Sequence, residues 1–134
     1  MQKQLIYLAS PYSDKDEAVM EWRYEQTLRF VAAFIKNGHM VFSPIVYTHE
    51  MAKKYKLERQ HQFWANQNER WLDYATALWI LELPGWRESA GIRHEIRYMS
   101  EVRKMPYAVK YILPTADVSI TRQIQKPTDS ILIN

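Results

Sequence analysis

The sequence contains no cysteine and only three glycines, and none of its apolar runs is long enough to span a membrane. The absence of cysteine excludes disulfide bonds and thiolate chemistry, and nothing indicates an oxidising compartment. With so little glycine, the chain has neither the G-x-G-x-x-G dinucleotide fingerprint nor a phosphate-binding P-loop. The apolar run near the N-terminus is too short for a signal peptide. Together these absences favour a cytoplasmic protein.

Metal-binding and serine-hydrolase signatures are also missing. The four histidines show no ligand spacing, neither His-Glu pair continues as H-E-x-x-H, and there is no G-x-S-x-G elbow. We therefore expect no metal and no cofactor. The net charge of +3 favours anionic ligands but is too small to indicate a nucleic-acid surface. The basic residues Lys53, Lys54, Lys56 and Arg59 are expected to form a solvated helix face.

Strand and helix patterns alternate along a chain of 134 residues, which favours a single domain over 1–134. Predicted strands cover 4–9, 39–45, 77–83 and 107–113, and predicted helices cover 14–37, a polar region before 77, and 91–104. This alternation predicts an α/β three-layer sandwich with a mostly parallel four- or five-stranded sheet, Rossmann-like or flavodoxin-like. The tail, 114–134, is expected to pack on the domain or on a neighbouring subunit.

Three predicted loops follow strands and combine polar groups with proline or glycine. They cover residues 10–16, 43–49 and 84–91. Ligands of open parallel sheets bind beyond the carboxyl ends of the strands. We therefore expect these loops to converge on one edge of the sheet and to form the ligand site.

The last of these loops contains a Ser-Ala-Gly turn that opens a helix. Free backbone N–H groups at such a turn, together with the helix dipole, favour an anion, although Ser89 can also be a simple N-cap. Glu95 follows Gly91 by about one helical turn, roughly 5.4 Å along the axis. That spacing suits a sugar whose phosphate is held at the turn. The alternative is that Glu95 merely complements the helix dipole, and spacing alone leaves both interpretations open.

Two further polar residues lie at the ends of predicted elements. Tyr7 lies within an apolar strand, so its hydroxyl needs a partner if it is buried. Asp73 ends the polar helix just before the third strand, where a solvated acid is the alternative interpretation.

Four segments together resemble the nucleoside 2-deoxyribosyltransferase-like superfamily. These are "IYLASPYS", "GHMVFSPI", Asp73 before an apolar strand, and "LPGWRESAGIRHE". The pattern GW-x-x-S-x-G-x-x-x-E is closest to a small bacterial and phage-type branch, and the resemblance covers roughly residues 5–113. Members of the superfamily exchange bases between deoxynucleosides or hydrolyse the N-glycosidic bond of nucleoside 5′-monophosphates.

The resemblance implies a role for each matching residue. It makes Glu95 the nucleophile at C1′, with Tyr7 orienting its carboxylate and Asp73 protonating the departing base. The stretch before the nucleophile is closer to the hydrolases than to the Asp-Ser-Gly of the transferases, so hydrolysis is favoured. The expected ligand is a nucleoside or its 5′-monophosphate, and the expected substrate-binding residues are Ser10, Tyr12, Ser13, Trp86, Ser89 and Gly91.

Other functions and assemblies stay open at this level. A non-catalytic nucleotide-binding or interaction module on the same fold is the main alternative. A nucleic-acid-binding accessory protein is a weaker one, resting on charge alone. The mixed helix face formed by His61, Trp64, Asn68 and Trp71 suggests a subunit interface, and we expect a homodimer or higher homo-oligomer.

Overall fold

Five parallel strands form the centre of the structure, a computed structural model that describes residues 3–114 and 130–132. Their order across the sheet is β2-β1-β3-β4-β5, the 2-1-3-4-5 order of doubly wound, flavodoxin-like folds. The strands are β1 (Leu5–Ala9), β2 (Met40–Phe42), β3 (Ala77–Leu81), β4 (Val109–Leu113) and β5 (Ser130–Leu132). The predicted α/β class with a parallel sheet is confirmed.

Helices connect the strands in the described part of the chain. They are α1 (Glu17–Lys36), α2 (Pro44–Tyr55), α3 (His61–Tyr74) and α4 (Ala90–Arg97). Short 3-10 turns occupy Trp86–Glu88 and Pro106–Ala108, and a π-turn occupies Tyr98–Val102. Among the described residues, no helix combines the length and the apolar character needed to cross a bilayer.

The alternation of side chains along β1 divides the core into two halves. Ile6 and Leu8 pack on one face of the sheet with Phe34 of α1. Tyr7 and Ala9 point to the other face, where residues of α3 and α4 cover them. Burial of each such aliphatic or aromatic side chain stabilises the folded state by about 1.5–3 kcal/mol. The three-layer sandwich predicted from the sequence is therefore present.

The second strand and the loop after it differ from the prediction. β2 ends at Phe42 instead of 45, and the predicted loop 43–49 is the start of α2. The reason is a complete N-terminal helix signal. The Ser43 hydroxyl accepts a hydrogen bond of 3.1 Å from the Val46 amide, and Pro44 occupies the first helical position. Pro44 thus begins a helix as well as ending a strand.

Other predicted boundaries also shift. α1 begins at Glu17, because Asp16 instead of Asp14 is its N-cap. The predicted helix 91–104 ends at Arg97 and continues as the π-turn, and β3 and β4 are shorter than predicted. Residues 130–132 of the predicted tail pair with β4, and 115–129 and 133–134 lie outside the described residues.

Candidate active site

A cavity of about 520 Å³ opens at the carboxyl edge of the sheet, beyond β1 and β3. The order of strands reverses between these two, which is where doubly wound folds bind ligands. The volume is typical of small-molecule sites, roughly 300–1,000 Å³. The walls are the segment after β1, residues of α2 and α3, and the turn that opens α4. The loops predicted to converge do so, with 43–49 contributing as helix.

Glu95 forms part of the inner surface of this cavity. It is only 5% exposed, and the hydroxyl of Tyr7 donates a hydrogen bond to its Oε2. Tyr7 lies on β1 and is itself 1% exposed, so it reaches Glu95 from inside the protein. No described residue donates to the other carboxylate oxygen, Oε1. One oxygen is therefore held by the protein and the other is left for a ligand.

The environment of Glu95 keeps the pKa of its carboxyl group near neutral, between the protonated and the ionised form. Burial raises the pKa of Glu95 to about 7, and the hydrogen bond from Tyr7 opposes that rise. Burial, followed by the charge of Glu95, raises the pKa of Tyr7 well above its ordinary value. Tyr7 is therefore a permanent donor, while Glu95 ionises near neutral pH.

The turn that opens α4 lies on the same helix face as Glu95. Ser89 is the N-cap and its Oγ accepts from the Ile92 amide at 3.2 Å, which leaves the hydroxyl hydrogen free to donate. The amides of Ala90 and Gly91 precede the first intrahelical hydrogen bond. A β-carbon on Gly91 would lie 3.4 Å from Nδ1 of His61. Burial and the neighbouring His94 lower the pKa of His61, although Glu69 opposes this.

Arg23 adds a positive charge to the cavity wall. Its Nη1 donates to the carbonyl oxygens of Tyr12 at 3.2 Å and Ser13 at 3.1 Å, and its Nη2 to that of Pro84 at 3.4 Å. It forms no ion pair with any residue in the described part of the chain. Gly85 permits this arrangement, because a β-carbon there would collide with the guanidinium. Arg23 thus supplies positive charge to a wall that also contains the carboxylates of Asp14 and Glu88.

The segment after β1 supplies three of the predicted binding residues. Ser10 is buried and its Oγ accepts from Thr27 at 3.2 Å, while Ser13 donates to the Arg59 carbonyl at 2.8 Å. The hydroxyl of Tyr12 lies 2.7 Å from Nδ1 of His49. Burial raises the pKa of Tyr12, and Arg59 opposes that rise. All three predicted residues line the cavity.

Residues 4–111 match a protein family described as a domain of unknown function, DUF1937. The chain belongs to the DUF1937 family. The match spans β1 through most of β4 and so includes every wall of the cavity. No curated protein matches the sequence.

Three predicted site residues of this DUF1937 member do not line the cavity: Tyr7 lies behind Glu95 and is hydrogen-bonded to it, whereas Asp73 and Trp86 lie apart. Asp73 accepts a 2.5 Å hydrogen bond from the Tyr98 hydroxyl and pairs with Arg70 at 3.1 Å. Trp86 packs against Tyr111, with ring centroids 5.6 Å apart, and is a partly buried residue at the edge of the core. The structure thus groups Glu95, Tyr7, Ser10, Tyr12, Ser13, Ser89 and Gly91 and leaves Asp73 and Trp86 outside.

Sequence reasoning missed the contribution of α3 to the DUF1937 cavity. His61, Trp64 and Asn68 line it, at the spacing of three and four that the sequence assigned to a subunit interface. Asn68 is 9% exposed, and its amide has no hydrogen-bond partner among the described residues. The helical spacing was the signal, but polarity alone does not distinguish a cavity wall from an interface.

One group of side chains has the spacing of a metal site. Ligand atoms of Glu21, His49 and Glu50 lie within 4.8 Å of one another. His49, however, already uses Nδ1 on Tyr12 and Nε2 on Glu21. We assign the group to this hydrogen-bond network instead of to a metal.

Proposed function

We propose that this protein cleaves the N-glycosidic bond of a nucleoside 5′-monophosphate or nucleoside, with Glu95 as the nucleophile. The observation that carries the proposal is the buried Glu95 carboxylate, held at one oxygen by Tyr7 and facing a cavity of ligand size. Retaining enzymes that cleave glycosidic bonds use such a carboxylate to form a covalent intermediate. The resemblance to the nucleoside 2-deoxyribosyltransferase-like superfamily supports the same role.

The cavity suggests how the substrate binds. A 5′-phosphate fits the N-terminal turn of α4, where Ser89 and the amides of Ala90 and Gly91 are available donors. The sugar then lies over Glu95, about one helical turn, or roughly 5.4 Å, beyond that turn. The unpartnered amide of Asn68 can bind the sugar or the base. Arg23 adds positive charge without an ion pair in the described part of the chain.

In the proposed reaction, a carboxylate oxygen of Glu95 attacks C1′ through an oxocarbenium-like transition state. The bond from C1′ to the base breaks, and its electron pair leaves with the base. Water, or a second base, then attacks C1′ and releases Glu95. We favour water, because the sequence before Glu95 resembles the hydrolases. No metal or cofactor enters the proposal.

The test combines a substrate panel with a matched pair of variants. Purified protein is incubated with nucleosides and their 5′-monophosphates, and free base is detected by chromatography. We expect wild-type release from at least one monophosphate and a loss of at least about 10³-fold in Glu95→Gln. Glu101→Gln, an exposed carboxylate beyond α4, is the control and should match the wild type. Undiminished release by Glu95→Gln would remove the nucleophile from the proposal.

A non-catalytic nucleotide-binding module is the second candidate. The observation that favours it is the position of Asp73, the expected proton donor, which faces Tyr98 instead of the cavity. Nucleotide binding by calorimetry without base release from any substrate would support this candidate. The cytoplasmic location and the homo-oligomeric state expected from the sequence stay predictions.

A further inference from the structure

A hydrogen-bonded series of three side chains runs from the cavity wall to the protein surface. The Tyr12 hydroxyl is 2.7 Å from Nδ1 of His49, and Nε2 of His49 is 2.7 Å from Oε2 of Glu21. Tyr12 lines the cavity, His49 is 1% exposed, and Glu21 is partly exposed. We call Tyr12, His49 and Glu21 the Tyr12 relay. A hydroxyl, an imidazole and a carboxylate in this order form the arrangement that moves protons in catalytic triads.

The packing around the relay fixes its geometry. The His49 ring stacks on Tyr24, with centroids 3.9 Å apart and planes 19° apart. Lys53 holds both oxygens of Glu21 at 3.1 Å. Partial burial opposes ionisation of Glu21, but hydrogen bonds from His49 and Lys53 hold its pKa below the usual value. Because Glu21 is an acceptor, Nε2 of His49 carries a hydrogen.

Arg59 determines which way the Tyr12 hydroxyl points. Its Nη1 lies 3.2 Å from the Tyr12 oxygen, and a guanidinium has donors only. When His49 carries a second proton on Nδ1, the Tyr12 oxygen accepts from both His49 and Arg59. Its own O–H is then left to donate into the cavity.

We propose, on the basis of the function proposed above, that Tyr12 is the catalytic acid for the leaving base, with His49 and Glu21 as positioning residues that supply its proton. As the C1′–N bond breaks, its electron pair on the base takes the Tyr12 proton, and the Nδ1 proton of His49 moves to Tyr12. When water attacks C1′ and the ester bond to Glu95 breaks, the proton of that water returns through Tyr12 to His49. One water is consumed, and no net proton is gained or lost.

Three other polar residues, Asp73, Asn68 and His61, fit this role less well. Asp73 faces Tyr98, outside the cavity. The side chain of Asn68 is an amide and has no acidic proton. His61 lies against Gly91, where the phosphate is proposed to bind, whereas the Tyr12 hydroxyl is hydrogen-bonded to His49 and Arg59.

The test uses two leaving groups that differ in their need for a proton. One substrate is the best natural 5′-monophosphate, and the other carries 4-nitrophenol on the same sugar phosphate, because 4-nitrophenolate leaves without protonation. Tyr12→Phe should lower kcat for the nucleotide about 10²–10⁴-fold and change kcat for the nitrophenyl substrate less than about threefold. Glu21→Gln, at the partly exposed end of the relay, should show the same selectivity with a smaller loss, about tenfold.

Three controls separate this inference from the proposed function. Glu95→Gln should lose activity toward both substrates. Tyr74→Phe replaces an exposed tyrosine and should keep activity toward both. Circular dichroism checks that each variant folds. If Tyr12→Phe slows both substrates equally or neither, the relay is overturned while the glycosidase stands. If the wild type releases nitrophenol but no base, the relay is also overturned, while the role proposed for Glu95 is retained. A wild type that cleaves neither substrate overturns both proposals.

Discussion

At the scale of single residues, Glu95 is subject to two opposing demands. Burial favours its neutral form, whereas the proposed attack on C1′ requires its charged form. The structure meets both by placing a permanent donor, Tyr7, on one oxygen while the surroundings hold the pKa near 7. A protein that needed only stability would have no reason to bury this carboxyl group without an ionic partner.

This arrangement predicts how stability depends on pH. The pKa of Glu95 is raised in the folded state to about 7 from an unfolded value near 4.5. The contribution of the protonated carboxyl group to the free energy of unfolding is therefore fully present below pH 4.5 and is lost as the pH rises to about 7. The loss approaches about 1.4 kcal/mol per pH unit across that window. Urea titrations should show Glu95→Gln gaining stability over the wild type between pH 4.5 and 7, then levelling.

Glu101→Gln provides the control for this pH dependence. It replaces an exposed carboxyl group beyond the same helix, and its stability should follow that of the wild type across the pH range. Parallel stability curves for Glu95→Gln and the wild type would show that the carboxyl group is not buried as described.

The sequence indicated Glu95 and its donor but misplaced the acid on α3. Asp73 follows Asn68 by five residues, which rotates it about 140° around the helix axis. It therefore faces Tyr98, while Asn68 faces the cavity. Predicting this required knowing which face of α3 meets the sheet, and the mixed polarity of the helix does not reveal it.

At the scale of elements, the turn after β3 depends on Gly85. Its φ of +94° disfavours any side chain, and the Arg23 guanidinium occupies the space of a β-carbon. Gly85→Ala should destabilise the fold by about 1–3 kcal/mol from backbone strain, and by more if Arg23 loses its carbonyl partners. Thermal denaturation measures the loss, and calorimetry with a nucleoside monophosphate measures the effect on the cavity.

Gly38 offers a matched control for the Gly85 substitution. Its φ is +93°, and nothing lies within 4 Å of a β-carbon there. Gly38→Ala should therefore suffer backbone strain alone and leave the proposed nucleotide binding unchanged. Equal effects of the two substitutions would contradict the packing of Arg23 against Gly85.

Element boundaries were predictable where a local signal stood alone. Asn37 and Gly38 ended α1 as predicted. The sequence Ser43-Pro44 is compatible both with the end of a strand and with the start of a helix, and only the strand end was predicted. The π-turn after Arg97 has no local signal in the sequence; within it Met99 is buried and Tyr98 packs against the core.

At the scale of the whole molecule, alternation of apolar strands and amphipathic helices was sufficient to predict the fold class. The order of the strands was not, because it depends on which edge each crossover takes. The observed order places β1 beside β3, and this pairing brings Tyr7 under the helix that carries Glu95. The candidate site therefore depends on long-range topology that no local pattern specifies.

Because β1 and β3 each supply both halves of the core, the two halves should unfold as one unit. Ile6→Val and Ile92→Val remove one methylene from opposite faces of the sheet, at positions that are each 1% exposed. Each should lower the free energy of unfolding by about 0.5–1.5 kcal/mol. Native-state hydrogen exchange of the slowest amides should show each variant losing protection in both α1 and α4 by similar factors. Loss confined to the helix beside the substitution would mean that the two halves open independently.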